Sequence, residues 1–596
     1  MTGEGSQIGA ISPAAASTLR RLQLGLRLLS RLRPTDREII FLWAILVGLL
    51  GAAAALGFQA LTGYIQLFLT GHQGRYVEIF YQLSPWQRIA VPAVGALCAG
   101  LILTLSHRFV RSRATDYMEA VSLGDGTVPI QASLIRSGSA LFSIASGGSI
   151  GREGPLVQLA GLAASIVGRF RGMAPPKRRL LVACGASAGM AAAYHTPLGG
   201  AFFVAEIVLG SFAMESLGPL LISSAVAAIV VDNFSVNESL FHFEGGAPGS
   251  MGEYVLYPFL GILCGLIAAF WMQLLKESRY RFGALPIPLW LRMTFGGLIV
   301  GLLAFWHPEV TGNGSSVIHN MLNNEYAIHF IALVLLLKIL ATCAVFGSGA
   351  VGGIFTPTLL VGAASGFLFA RFAGMIWPGD SLESATFALA GMSSLLAASA
   401  QAPITAIIML FEMSLRYDLI LPLAIASVSA YSTVKALGTD SVYKESLHSG
   451  PRSVFDKSLA EVRVTDILRP SVAKVSLNAP FRDIARAFLT GSGRELWVIG
   501  SDDRLLGEIL LPDVEPYLRE EGLAQTVIAS DLMHENSPRL LPSMGLPLAL
   551  ESFSRTIAES LPVVDPGSGK LLGSIARSDL FLTLAELTRR ERTRTA

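Results

Sequence analysis

Two glycine-rich stretches hold the residues whose types and spacing point to chemistry. They are SGGSIGREGP at 146–155 and GSGAVGGIFTP at 347–357. Glycines ahead of a helix let several backbone N–H groups converge on one point. The first turn leaves those groups unsatisfied, and the aligned peptide dipoles add partial positive charge. Such an end attracts an anion without a full cation. Two of them facing a common centre would hold a dehydrated small anion loosely enough for it to leave, as permeation requires. In GGIFTP, Ile354 and Phe355 can offer backbone amides while their side chains wall a path; Gly154 takes the matching place behind Glu153. Glu153 is itself an anion beside this place, so it can occupy the site when no free anion does, and protonation would release it. An ionisable residue among apolar stretches is a functional candidate by default. Arg152 adjoins Glu153, but neighbours at i,i+1 on a helix do not face each other. Arg152 is therefore expected to pair elsewhere or to bond backbone carbonyls.

The surroundings of these stretches are those of an integral membrane protein. The 596 residues are 52% hydrophobic and only 15% charged, with mean hydropathy +0.55, more apolar than a soluble chain. Apolar runs long enough to cross or enter a bilayer recur between about 38 and 437. Others are broken by Gly and Pro, which at membrane depth requires burial in protein or a cavity wall. GASAGMAAAYHTPLGGAFFVAE and GMSSLLAASAQAPITAIIMLFE match each other: Gly185 and Gly391, Pro197 and Pro403, and Glu206 and Glu412 are each 206 residues apart. The membrane part is thus read as two homologous halves, 38–235 and 250–437, expected to be inverted, with a binding site at their interface.

At the N-terminus no cleavable leader is visible. Leu19, Leu22, Leu26 and Leu29 share a helical face beside Arg20, Arg21, Arg27, Arg31 and Arg33. Residues 1–37 are expected to lie as a basic amphipathic segment on the cytoplasmic membrane surface. Both termini are then placed in the cytoplasm and the protein in the cell (inner) membrane. A linker at 446–460 leads to two α+β units of mixed charge, 461–520 and 526–586, each reading strand–helix–strand–strand–helix. They align Gly507 with Gly573 and Asp513 with Asp579.

Several classes drop out. Net charge of +2 argues against a nucleic-acid partner. No HExxH or GxxxxGK[ST] stretch is present, and no enzyme and no cofactor is expected. His195 and His242 read as ordinary polar residues. Cys98, Cys184, Cys264 and Cys343 read as small buried hydrophobes.

GREGP, GGIFTP and the repeated Gly…Pro…Glu segments together resemble the ClC chloride channel and transporter family, over about residues 38–445. The C-terminal pair is similar to the tandem CBS-type domains that many members carry. The resemblance implies a homodimer with one pore per subunit, for chloride or a similar small anion among membrane lipid. It places the external gate on Glu153, anion-coordinating amides on Ile354 and Phe355, and a hydroxyl to the central ion on Tyr443 of LGTDSVY. Where the family has a GSGIP-like motif this chain has RSRATDYMEAV, and Ser112 alone holds the serine position. Proton-exchanging members resemble FxxEE; here FVAEIV puts Ile207 in the second place, and isoleucine carries no proton. Channel-like conduction is the expectation. The alternative is a proton-coupled chloride antiporter using water or Glu206. From a different class, a CBS-regulated cation transporter would want several converging carboxylates. Glu206 and Glu412 are expected to share a structural role, as caps or as ion pairs that include Lys338. In the CBS-type pair, Asp513 and Asp579 are the candidate ribose-binding residues for an adenine nucleotide. Leu510 and Ala576 stand where the family has Ser or Thr, so a dimer-stabilising or regulatory scaffold is expected instead.

Overall fold

The structure, a computed structural model, describes residues 36–109, 116–234, 252–323, 326–376, 382–443, 462–470, 472–490, 494–518, 526–535, 538–554, 556, 558–580, 582–584 and 586. Ser112, His242, the basic segment to residue 35 and the linker at 446–460 lie outside them. The chain divides into a unit ending at Leu447 and another starting at His448.

The first unit is built of helices and the loops that join them, with no strand among its described residues. Its first half runs α1 (Asp36–Thr70), α2 (Tyr76–Gln82), α3 (Pro85–Phe109), α4 (Tyr117–Ser122), α5 (Ile130–Ala145), α6 (Glu153–Phe170), α7 (Pro175–Tyr194), α8 (Pro197–Phe203) and α9 (Met214–Phe234). The second continues with α10 (Leu256–Ala284), α11 (Leu289–Trp306), α12 (Ser315–Asn323), α13 (Ile328–Gly347), α14 (Phe355–Ile376), α15 (Ser384–Ala400), α16 (Pro403–Ser414) and α17 (Ile420–Ala436). Among the described residues eight helices are long and apolar enough to cross a membrane: α1, α3, α9, α10, α11, α13, α14 and α17.

The broken segments are broken where the repeated prolines stand. Helix α7 ends in left-handed His195 and α15 in left-handed Gln401, both with φ of 56°, and Pro197 and Pro403 each open the next helix. A proline at the first helical position gives up an N–H that would lack a partner there. The repeated glycines are points of close helix approach. A Cβ on Gly185 would lie 2.5 Å from the Ala160 carbonyl of α6, and one on Gly391 would lie 2.3 Å from the Gly362 carbonyl of α14. Small residues take this place because lipid tails are as apolar as leucine, so helices associate through close packing.

The second unit is α+β. In its first half β1 (Lys474–Ser476), α18 (Phe481–Thr490), β2 (Glu495–Ile499), β3 (Leu505–Leu510) and α19 (Leu511–Leu518) follow the expected order. Strand β1 is parallel to β2, and β2 antiparallel to β3. After α20 (Ala529–Leu532), the second half has α21 (Leu546–Ser554) and the antiparallel pair β4 (Ser560–Val564) and β5 (Leu571–Ala576). Its expected leading strand is reduced to one parallel bridge, Leu540 with Val563; Pro542, two residues on, cannot donate to a ladder.

Candidate functional site

The two glycine-rich stretches meet. Gly151 and Gly353 form an antiparallel bridge with both backbone bonds made, 2.7 Å from the Gly151 N–H to the Gly353 carbonyl and 2.9 Å in return. Each loop is the lead-in to a helix, α6 or α14. A Cβ on Gly353 would fall 2.1 Å from Glu153 Oε1, and one on Gly151 would fall 2.0 Å from Oε2. Glycine at both positions is what leaves room for the carboxylate. The first loop is braced from behind. Gly147 accepts from the Gly312 N–H at 2.8 Å, and Ser149 shares a 2.8 Å hydroxyl bond with Thr342 of α13.

Glu153 opens α6, is 5% exposed, and turns across to the other half. Its Oε1 accepts from the Phe355 N–H at 2.8 Å, at the start of α14, where helix N–H groups lack internal partners. Oε2 is buried without a hydrogen-bond partner. Ile354 and Phe355 are buried beside it, and Gly154 lies so close that its Cβ would stand 3.4 Å from the Gly353 nitrogen.

An aromatic row runs from this carboxylate. Tyr194 packs on Phe355 with centroids 4.8 Å apart, Phe203 meets Phe355 edge-on at 6.5 Å, and Tyr443 meets Phe203 edge-on at 5.6 Å. Tyr117, Tyr194 and Tyr443 all lie within electrostatic reach of Glu153. The structure thus brings Glu153, Gly154, Ile354, Phe355 and Tyr443 together. It adds Tyr194, Phe203, Thr356 and Tyr117, which sequence reasoning passed over. Tyr194 was within reach of it, as the last residue before the break that the repeated proline, Pro197, marks.

Glu206 and Glu412 are placed elsewhere, and reciprocally. Glu206, in a π-helical turn at Val204–Leu209, accepts from the N–H groups of Ile404 and Thr405 at 3.3 and 2.7 Å and from the Thr405 hydroxyl at 2.6 Å. Glu412 accepts from the N–H groups of Leu198 and Gly199 at 2.9 and 2.6 Å. Each caps the short helix of the opposite half. Lys338 takes no part, contrary to the expectation that it pairs with them. Fully buried, it donates to the carbonyls of Val310 and Gly312 at 2.9 and 2.7 Å, which lie behind the first glycine loop. Ile207 packs against the core. Arg152, at the N-cap of α6, forms neither of the bonds expected of it among the described residues, and it lies within electrostatic reach of Tyr76.

In the second unit Asp513 accepts from its own Leu510 N–H at 3.2 Å and meets His534 Nε2 at 2.9 Å. Asp579 accepts from the Ala576 N–H at 3.3 Å and meets Arg469 Nη2 at 2.5 Å. Both carboxylates are engaged within the fold.

Repeated broken helices, two joined glycine loops and eight apolar spans define a multi-pass membrane protein built around an internal site, with an α+β unit after it. The family description "Voltage gated chloride channel" matches residues 94–435, and the chain belongs to this ClC family of chloride transport proteins, which are not enzymes. It is 42% identical over 407 residues to a putative chloride channel protein, ClcB-like, of Ralstonia nicotianae, covering 67% of this chain and 95% of that one. It is 39% identical over 410 residues to the voltage-gated ClC-type chloride channel ClcB of Escherichia coli, covering 67% and 97%. Among solved structures, a slow cyanobacterial Cl-/H+ antiporter is similar at 25% identity and TM-score 0.62, over 70% of this chain and 98% of that one. A eukaryotic CLC transporter shares the fold at 16% identity and TM-score 0.56, over 91% of this chain.

Proposed function

We propose that this chain conducts chloride through a channel-like pore of the cell (inner) membrane, gated by Glu153, as a homodimer with one pore per subunit. The observation that carries the reading is the Glu153 carboxylate seated on the Phe355 amide at the junction of the two glycine loops. An anion reaching this place would meet the same donor, with the Ile354 amide, the Gly154 backbone and the Tyr443 hydroxyl as further ligands. Ser112 is kept as a candidate ligand on sequence alone. Protonating the carboxylate cancels its charge and weakens its hold on the helix start, so acid would favour the open site.

Channel-like conduction is favoured by Ile207, which offers no proton, and by Glu206, whose two oxygens are taken up as a helix cap. A second reading, proton-coupled exchange, draws on the printed description of the cyanobacterial relative as a Cl-/H+ antiporter. Chloride and proton flux measured together in reconstituted vesicles tests the choice. Uphill proton movement driven by a chloride gradient would overturn the channel reading, and chloride flux without it would overturn exchange. The domain scheme that goes with this reading is a membrane domain at 38–445 and CBS-type units at 461–520 and 526–586, with both termini cytoplasmic. With Asp513 and Asp579 already engaged, the pair serves as a scaffold.

A further inference from the structure

Hydrogen-bond accounting around Glu153 leaves two unmatched groups facing each other. Oε1 accepts from Phe355, while Oε2 is buried with no partner. Beside the carboxylate, the Tyr194 and Thr356 hydroxyls form a 2.8 Å hydrogen bond in which either can donate. Two hydroxyls bring two protons, and their mutual bond uses one. The other has no acceptor among the described residues except this carboxylate, which the Tyr194 phenol faces. Glu153, Tyr194 and Thr356 are 5%, 5% and 2% exposed. A buried donor and a buried acceptor are seldom left unpaired side by side.

We propose that Tyr194 is a gate-positioning and anion-selecting residue. Its hydroxyl, oriented by Thr356, donates to Glu153 when the carboxylate is in place and to the permeant anion once the carboxylate has withdrawn. The inference rests on the gating role of Glu153. A phenol suits the task because it adds a donor without adding a charge, so the anion is recognised but not trapped. The ring is positioned independently of the hydroxyl, by packing on Phe355 at 4.8 Å and by the helix end at His195. Phenylalanine would therefore keep the ring and lose only the donor.

The test is chloride binding to the full-length solubilised protein by calorimetry in a Glu153→Ala background, where the carboxylate's place is free for an anion. Adding Tyr194→Phe should weaken chloride binding about tenfold, the worth of one hydrogen bond to a charged group. Bromide, a weaker acceptor, should lose less, so the chloride-to-bromide affinity ratio should shrink; a packing change alone would not move that ratio toward the larger ion. Thr356→Val, which removes the orienting partner, should weaken chloride in the same direction by a smaller factor and gives the answer if Tyr194→Phe does not fold. Unchanged chloride affinity and unchanged ratio in these variants overturn the proposal. The gating reading fails separately, if Glu153→Ala alone leaves both chloride binding and the pH dependence of transport as in the parent.

Discussion

Glu153 and Glu206 make the same kind of contact and are built for different ends. Each is a glutamate of the first half whose carboxylate lies on the start of a helix of the second. Glu206 spends both oxygens there, on two N–H groups and a hydroxyl, and its repeat partner Glu412 does the same in reverse. Glu153 gives one oxygen to the Phe355 N–H, while Oε2 is not capped by a second helix N–H and the Tyr194 phenol faces the carboxylate. A carboxylate held by three donors is a fixed joint between the halves. One held by the Phe355 backbone bond and faced by one neutral hydroxyl, at a place two glycines keep open, is more easily displaced.

The largest effect should come from breaking the fixed joint. Glu206→Ala leaves two N–H groups and the Thr405 hydroxyl without their acceptor. The solubilised protein should lose about 2–3 kcal/mol, within the range of lost caps and charged hydrogen bonds, and melt earlier. A melting temperature unchanged in Glu206→Ala would mean that the joint carries no load. Glu153→Gln should instead leave the fold in place and act on function. One titrating group changes a rate by at most about tenfold per pH unit, and the variant should flatten that dependence in vesicle chloride flux. A pH profile equal to the parent's would remove Glu153 from the gate.

Ile207→Glu tests the other side of the comparison by adding a second carboxylate next to the fixed one. It should introduce chloride-driven proton uptake, read with a pH dye, at a small fraction of the chloride flux. No proton signal would mean that more than this position separates conduction from exchange.

The smallest effect concerns the second unit. Lys474 hydrogen-bonds Asp503 and holds its carboxyl below the usual carboxylate range. The Ser568 hydroxyl and N–H do the same for Asp565. A depressed folded value means stability that is present above the unfolded value and lost as pH falls through the folded one. Lys474→Met should slightly reduce the acid sensitivity of this unit in a pH titration followed by circular dichroism, because exposed pairs are screened by solvent.

Much of this arrangement was legible along the chain. The apolar runs, the repeated Gly, Pro and Glu, the two glycine loops and the prominence of Glu153 follow from local patterns. Helix breaks, close approaches and membrane spans depend on residues near in sequence, so periodicity and composition report them. The 206-residue spacing even tied Glu206 to Glu412. It does not reveal that each caps the other half's helix, nor that Lys338 binds the Val310 and Gly312 carbonyls instead of joining them. The aromatic row of Tyr194, Phe355, Phe203 and Tyr443 was also invisible, being drawn from four separate segments.

What the sequence determined by itself was therefore which segments enter the membrane, where they break and which residue types stand at the breaks. Only the tertiary structure decided which carboxylate meets which helix start. A carboxylate accepts from any unpaired N–H within about 3 Å, and in a chain of many helix starts the choice among them is made by packing. Glu153 and Phe355 are 202 residues apart and meet through one hydrogen bond, because the glycine loops bridge at Gly151 and Gly353.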